Sequence, residues 1–195
     1  MIVTETDLLV IGGGVVGAFI ARELSRYELR VLVVDKEVDV SFGTSKANSG
    51  IVHSGIHDLP GSLKARLCVR GNALYPKIVE ELEVLYKKNG QLLVAQTPEE
   101  LPVLQKLVLQ GRRNGVTGIV ELNTEEMLRL EPHLSAELLG GLHVESAGIV
   151  VPFDLVFALT ENAIANGVRL KVGTEVSKII SEKEGFIVHT NRGVI

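Results

Sequence analysis

Tryptophan is missing from this 195-residue chain, cysteine occurs once, and aromatic residues make up only 4% of it. A single cysteine excludes an intrachain disulfide and gives no metal-ligand spacing, so no metal is expected. Cys68 falls in an apolar-periodic segment and is expected to act as a small buried hydrophobe. No run approaches the roughly 20 apolar residues of a membrane span. The opening MIVTETD has no basic stretch ahead of an apolar core, so no secretory signal is expected. A cytoplasmic setting is the default, with peripheral contact at the inner face of the membrane left open. An excess of positive charge is lacking too. Lys and Arg number 20 against 24 Asp and Glu, a net charge of −4, which argues against a nucleic-acid partner. Lys64, Arg66 and Arg70 form a basic cluster at near-helical spacing, read as a solvated helix face. Repeats, low-complexity tracts and Pro/Ser-rich linkers are also lacking.

What is present is an ordinary globular composition, 46% hydrophobic and 23% charged. The length suits one compact domain, or a large one with a small satellite. Within it, DLLVIGGGVVGAFIARELSRYELRVLVVDKE, Asp7 to Glu37, has the order of a complete βαβ dinucleotide-binding unit. Leu8 to Ile11 is the short apolar run of a strand buried on both faces. Gly12, Gly14 and Gly17 then supply G-x-G-x-x-G: the first for a tight turn, the second for close approach of a pyrophosphate, the third for helix–strand packing. Val15 to Tyr27 has helical spacing, so its N-terminal amides and positive dipole end face the phosphates. Val31 to Val34 is the second strand, and Asp35 stands at its end. A carboxylate there accepts hydrogen bonds from a ribose and repels a 2′-phosphate, which favours FAD or NAD over NADP.

Further along, Val40 to Gly61 is a long glycine- and serine-bearing loop. Ser62 caps a predicted helix running toward Tyr86, which Pro76 is expected to bend or break. Gln91–Gln96 is a predicted strand, and Thr97 with Pro98, Glu99 and Glu100 starts a helix carried on by Leu101, Leu104 and Val108. A short helix is expected from Thr124 to before Pro132, and a strand from Leu138 to Val144. Pro152–Ala165 is a predicted helix capped by Asn166-Gly167. A strand at Val168–Val172 and a hairpin of Val176–Ile180 with Phe186–Thr190 follow. Gly193-Val194-Ile195 arrive where another strand should begin, so the chain is expected to be part of a longer one.

The loop Phe42–His57, FGTSKANSGIVHSGIH, is dominated by small and hydroxyl residues, with His53 and His57 spaced i, i+4. Such a loop can bring backbone amides against a phosphate or a planar ring; turn chemistry alone explains much of the same composition. It follows Asp35 where an NAD-type fold would begin its next helix. The stretches DLLVIGGGVVGAFIARELSR, GTSKANSGIVHSGIHDLPGSLKARLCVRGN, AGIVVPFDLVFALTENAIANGV and GTEVSKI resemble the FAD-dependent D-amino-acid-oxidase superfamily. The likeness is strongest to its anaerobic-type glycerol-3-phosphate dehydrogenases and L-2-hydroxyglutarate dehydrogenases, and it covers nearly the whole chain.

The resemblance implies an α/β fold, a Rossmann-like FAD/NAD(P)-binding parallel sheet with a partial α+β substrate-side domain. Residues 1–80 and 145–195 would form the first and 81–144 the second. It implies FAD as cofactor, with Gly12, Gly14 and Gly17, together with Val15 and Val16, at the pyrophosphate. Asp35 would hold the adenosine ribose, where the family more often has Glu, with Lys36 beside it. Thr44, Ser45, Asn48, Ser49 and Gly50 would line the pyrophosphate and flavin side, and the Val176 backbone would pair with adenine. His53 would lie near the isoalloxazine.

Oxidising a secondary alcohol needs a hydride acceptor, a base for the hydroxyl proton and cations for an anionic substrate. His53 is the best base candidate because imidazole titrates near neutral pH; His57 is weaker, His143 is read as structural, and His133 and His189 carry no assignment. The expected activity is oxidation of a small hydroxy anion, glycerol 3-phosphate first, with partner subunits among the candidate electron acceptors. L-2-hydroxyglutarate or amino-acid oxidation, an inactive nucleotide-binding fragment and an NAD-dependent dehydrogenase are the alternatives. The family's later Ala-Thr-Gly or Ala-Ala-Gly strand, its C-terminal Gly-Asp segment and its substrate-binding arginines do not occur before Ile195.

Overall fold

The computed structural model describes residues 4–195. The elements run β1 (Leu8–Ile11), α1 (Val15–Leu24), β2 (Val31–Val34), β3 (Ile51–Val52), α2 (Leu63–Glu81), β4 (Tyr86–Lys87), β5 (Gln91–Ala95), α3 (Leu101–Asn114) and β6 (Ile119–Leu122). They continue with α4 (Thr124–Leu130), β7 (Gly140–Val144), β8 (Gly148–Val150), α5 (Pro152–Ala165), β9 (Arg169–Lys171), β10 (Val176–Glu182), β11 (Gly185–Thr190) and β12 (Gly193–Val194). One compact unit holds the chain up to Ser49 with Leu82–Val84 and Val151–Ile195; the other holds Gly50–Glu81 and Leu85–Val150.

The first unit is built on a parallel sheet of order β1-β2-β9, with Leu8 beside Val31 and Leu32 beside Arg169. The continuous apolar run of β2 explains its central place, because all of its residues are buried. Ala21 of α1 and Ala163 of α5 pack with Val31, Val33 and Val168 in one core, and their small side chains let the two helices approach. Leu32 is fully buried, so Leu32→Ala costs about 2–5 kcal/mol. At the start of β1, Arg30 grips Asp7 with its guanidinium and its backbone amide and holds that carboxyl down at about 2. An antiparallel sheet, β10-β11-β12, completes this unit.

The second unit has two antiparallel sheets, β5-β7-β6 and β3-β8-β4. Its core joins Ile56 to Ala95, Leu104, Val108, Leu142 and Val144. Met127 of α4 is fully buried against Gly141, where an added Cβ would stand 2.4 Å from the Met127 sulfur. Asn123 and Glu126 form a reciprocal capping box that sets the start of α4.

Several elements differ from the sequence-based expectation. Helix α2 does not end at Pro76 but continues to Glu81, because a proline removes only one intrahelical bond, here the one that would close on the Asn72 carbonyl. Helix α3 begins at Leu101, not at Pro98, because the Glu100 carboxylate folds back onto the amides of Gln96 and Thr97 and holds those residues in a turn. Strands β3, β4, β6 and β8 carried no periodic signal, being two to four residues long. Residues 50–80, expected with the nucleotide-binding sheet, fall in the second unit, where Ile56 enters the core.

Candidate nucleotide-binding site and histidine loop

The glycine loop leaves β1 at Gly12, whose φ of +109° favours glycine, and whose amide donates to the Val34 carbonyl at 2.8 Å. Gly14 is the N-cap of α1. An added Cβ at Gly17 would stand 1.9 Å from the Gly12 carbonyl oxygen, so the third glycine is required by the crossing of loop and helix. The Val15 amide donates to Ser45 Oγ at 3.0 Å, which ties the short 3-10 turn Gly43–Ser45 to the helix start. Asn48 secures that turn in its place by donating to the carbonyls of Thr44 and Ser45. The amides of Val16 and Gly17 belong to the first turn, where a helix has no carbonyls of its own to receive them.

Asp35 reaches into this loop. Its Oδ2 accepts from the Gly13 amide at 2.6 Å and its Oδ1 from the Glu37 amide at 2.9 Å. Gly13 itself was not among the sequence-predicted site residues, since the motif leaves that position free. The structure explains the middle glycine of Gly12-Gly13-Gly14: a Cβ there would sit 2.9 Å from Val40 Cγ1 and 3.3 Å from Asp35 Oδ2. The main chain at Ser41, with φ +68°, closes the loop from the other side by donating to the Gly13 carbonyl.

A cavity of about 740 Å³ lies along β1 and α1, lined by Gly12, Gly14, Gly17, Thr44, Ser45 and Asn48 and by apolar residues including Val15, Val16 and Ile20. Most of the sequence-predicted cofactor residues therefore meet at one place in the first unit. Asp35 adjoins it through Gly13, and Lys36 and Ser49 are exposed nearby in sequence. Val176 begins β10 opposite Thr190. Gly50 belongs to the second unit, where its carbonyl accepts from the Val150 amide at 2.9 Å.

His53 and His57 lie in the second unit on the loop that follows β3, both exposed. The backbone between them is buried at Ser54, Gly55 and Ile56. Asp58, only 7% exposed, pairs with Lys64 Nζ at 2.8 Å. That ammonium holds the Asp58 carboxyl below its ordinary range, helped by the Cys68 thiol and by His53 and opposed by burial. Cys68 is half-buried, and burial together with the Asp58 charge pushes its thiol up to about 11. Arg66 and Arg70 are exposed on α2, as expected of a solvated face. His133 is exposed, His143 stands in β7 and His189 in β11. Among the described residues there is no group of His, Cys, Asp and Glu that could hold a metal ion, and no helix long and apolar enough to cross a membrane.

The family of FAD-dependent oxidoreductases matches residues 7–195. The chain belongs to that family. It is 40% identical over 186 residues to a glycerol 3-phosphate dehydrogenase of Caloramator mitchellensis, covering 95% of this chain and 39% of that protein. It is 41% identical over 129 residues to the mitochondrial L-2-hydroxyglutarate dehydrogenase of Caenorhabditis elegans, covering 65% of this chain and 30% of that one. Among solved structures, the FAD-bound, dithionite-reduced L-α-glycerophosphate oxidase of Mycoplasma pneumoniae superposes with a TM-score of 0.90 at 34% identity, over 96% of this chain and half of that chain. The chain thus spans half or less of the length of these relatives.

FAD is the cofactor of this family, and the residues present fit its dinucleotide part. The cradle is formed where added Cβ atoms at Gly13, Gly14 and Gly17 would meet Val40, Ser45 and the Gly12 carbonyl. The donor set facing it is the α1 N-terminus with the Thr44 and Ser45 hydroxyls, which suits a pyrophosphate.

Proposed function

We propose that this chain is the nucleotide-binding part of a dehydrogenase that oxidises glycerol 3-phosphate. The observation that carries the reading is that two separate comparisons, a 40% identical sequence relative and a 0.90 TM-score structural neighbour, both carry glycerophosphate in their names. Gly12, Gly14, Gly17, Thr44 and Ser45 would hold the pyrophosphate, and Asp35 the ribose side. Lys36, Asn48, Ser49, Gly50, Val15, Val16 and Val176 would complete the cofactor contacts. When bound, FAD supplies a two-electron hydride acceptor. The His53 imidazole would take the hydroxyl proton of the alcohol, whose oxidation product is the ketone. Partner subunits would take up the electrons, and the setting proposed for the chain is the cytoplasm, in peripheral contact with the membrane.

A second reading, L-2-hydroxyglutarate oxidation, is favoured by the 41% identity to the nematode enzyme. Both substrates are small secondary alcohols bearing an anion, so one assay separates them. The purified chain is reconstituted with FAD, desalted, and given each substrate with an artificial electron acceptor. Bleaching of the flavin band and acceptor reduction with glycerol 3-phosphate, abolished in His53→Asn, is the expected result. Reduction by L-2-hydroxyglutarate alone overturns the substrate assignment. A colourless chain that takes up no FAD overturns the cofactor site.

A further inference from the structure

The His53–Asp58 segment has no regular secondary structure, yet the carbonyls of His53, Gly55, Ile56 and Asp58 accept from side-chain amides. Asn72 on α2 directs Nδ2 at the carbonyls of His53 (3.2 Å), Val52 (3.5 Å) and Ser146 (2.8 Å). On α3, Gln110 donates to the Ile56 carbonyl at 2.9 Å. Asn114, four residues on and therefore on the same helix face, donates to Gly55 at 2.9 Å and Asp58 at 2.7 Å. The Cys68 thiol adds a weak contact to the His53 carbonyl at 3.4 Å.

Buried main-chain carbonyls need donors, and one donor for each would satisfy the fold, as the Asp58 amide already does for the Gly55 carbonyl at 3.3 Å. Two features go beyond that need. Asn114 keeps its Nδ2 on two carbonyls although this leaves its own buried Oδ1 without a partner. Asn72 serves the carbonyl of an exposed residue, His53, which water could have served. Loops are ordinarily the mobile parts of a fold, and a group that moves protons must be held to within a fraction of an ångström.

We propose that Asn72, backed by Asn114, is a positioning residue that fixes the main chain under His53 and so sets where its imidazole works. The proposal rests on the proton-accepting role given to His53 above. Asn72 is the decisive member because its one amide joins two stretches far apart in sequence, Val52–His53 and Ser146.

The test uses the FAD-reconstituted 195-residue chain and its variants Asn72→Ala, Asn72→Asp, His53→Asn and, as a control on the solvated face of α2, Arg70→Ala. The imidazole resonances of His53, identified by their loss in His53→Asn, are followed by NMR against pH, a readout that needs no turnover. The expected result is that Asn72→Ala and Asn72→Asp move the His53 signals and their titration midpoint while Arg70→Ala does not. With glycerol 3-phosphate, kcat falls at least about tenfold in Asn72→Ala while KM stays within about threefold. A lower melting temperature with unmoved His53 signals would show a merely structural amide and overturn the proposal. If His53→Asn itself keeps full turnover, the proton-accepting role falls, and the positioning role falls with it. If His53→Asn is inactive and Asn72→Ala is not, the positioning role alone falls.

Discussion

Asp35 holds Gly13: its Oδ2 stands 2.6 Å from the Gly13 amide nitrogen, and its Oδ1 takes the Glu37 amide. The end of β2 is thereby bonded to the turn that leaves β1, across the two strands that flank the dinucleotide cradle. An amide in place of the carboxylate can accept only one of these bonds and sets an N–H against the other. A hydrogen bond to a charged group is worth about 1.5–3 kcal/mol, so Asp35→Asn is expected to weaken FAD binding roughly 10- to 100-fold. Isothermal titration of FAD into the two proteins measures it. Unchanged affinity would mean that Gly13 keeps its place without Asp35.

Two glycines, Gly17 in α1 and Gly71 in α2, should respond in opposite directions. Gly17→Ala puts a Cβ 1.9 Å from the Gly12 carbonyl, so α1 must move away from β1. Overpacking of this kind costs about 1–3 kcal/mol or more, with loss of the cradle. Gly71 lies inside α2 with nothing within 4 Å of an added Cβ, and Gly71→Ala should stabilise by about 0.5–1 kcal/mol through helix propensity. Thermal melts of the two variants give the signs directly.

The contrast shows what the sequence could disclose. Gly12, Gly14 and Gly17 were legible because strand, glycines, helix, strand and acid follow one another at fixed spacing. The FAD assignment was legible from the run Gly43–Asn72, whose resemblance covers residue types as well as spacing. Gly13 was not, because its requirement comes from Val40 and Asp35, which reach it only in three dimensions. Asn72, Gln110 and Asn114 gave no sign either: an amide on a helix looks solvated until the carbonyl it serves is seen. Strand β6 was hidden for a similar reason, since Ile119–Leu122 acquires meaning only from its pairing with Gly141–Val144.

The ion pair of Asp58 with Lys64 predicts an acid-side effect. Because the folded carboxyl titrates below its ordinary value of 3.8, the unfolded chain binds the proton more tightly. The stabilisation is complete above that value and is lost as the pH falls through the lower folded value. Lys64→Met removes the partner, so its melting temperature should lie below that of the parent at pH 6, and the two should converge as the pH drops below the aspartate range. The difference is expected to be small, since Lys64 is largely exposed. A gap that widens on acidification would contradict the sign.

Cys68 supplies a chemical readout of the same cluster. Burial, then the hydrogen bond and charge of Asp58, push its thiol up to about 11 from an ordinary 9.0. At pH 8 the reactive thiolate is therefore about a hundredfold rarer than in the unfolded chain, and alkylation slows accordingly. Iodoacetamide should label the folded protein slowly at pH 8 and the urea-unfolded protein much faster. Asp58→Asn removes the carboxylate contribution but leaves the burial, so it should raise the folded rate only part of the way. Equal rates in folded and unfolded protein would place the thiol in water, and a full rise in Asp58→Asn would make the carboxylate, not burial, the dominant cause.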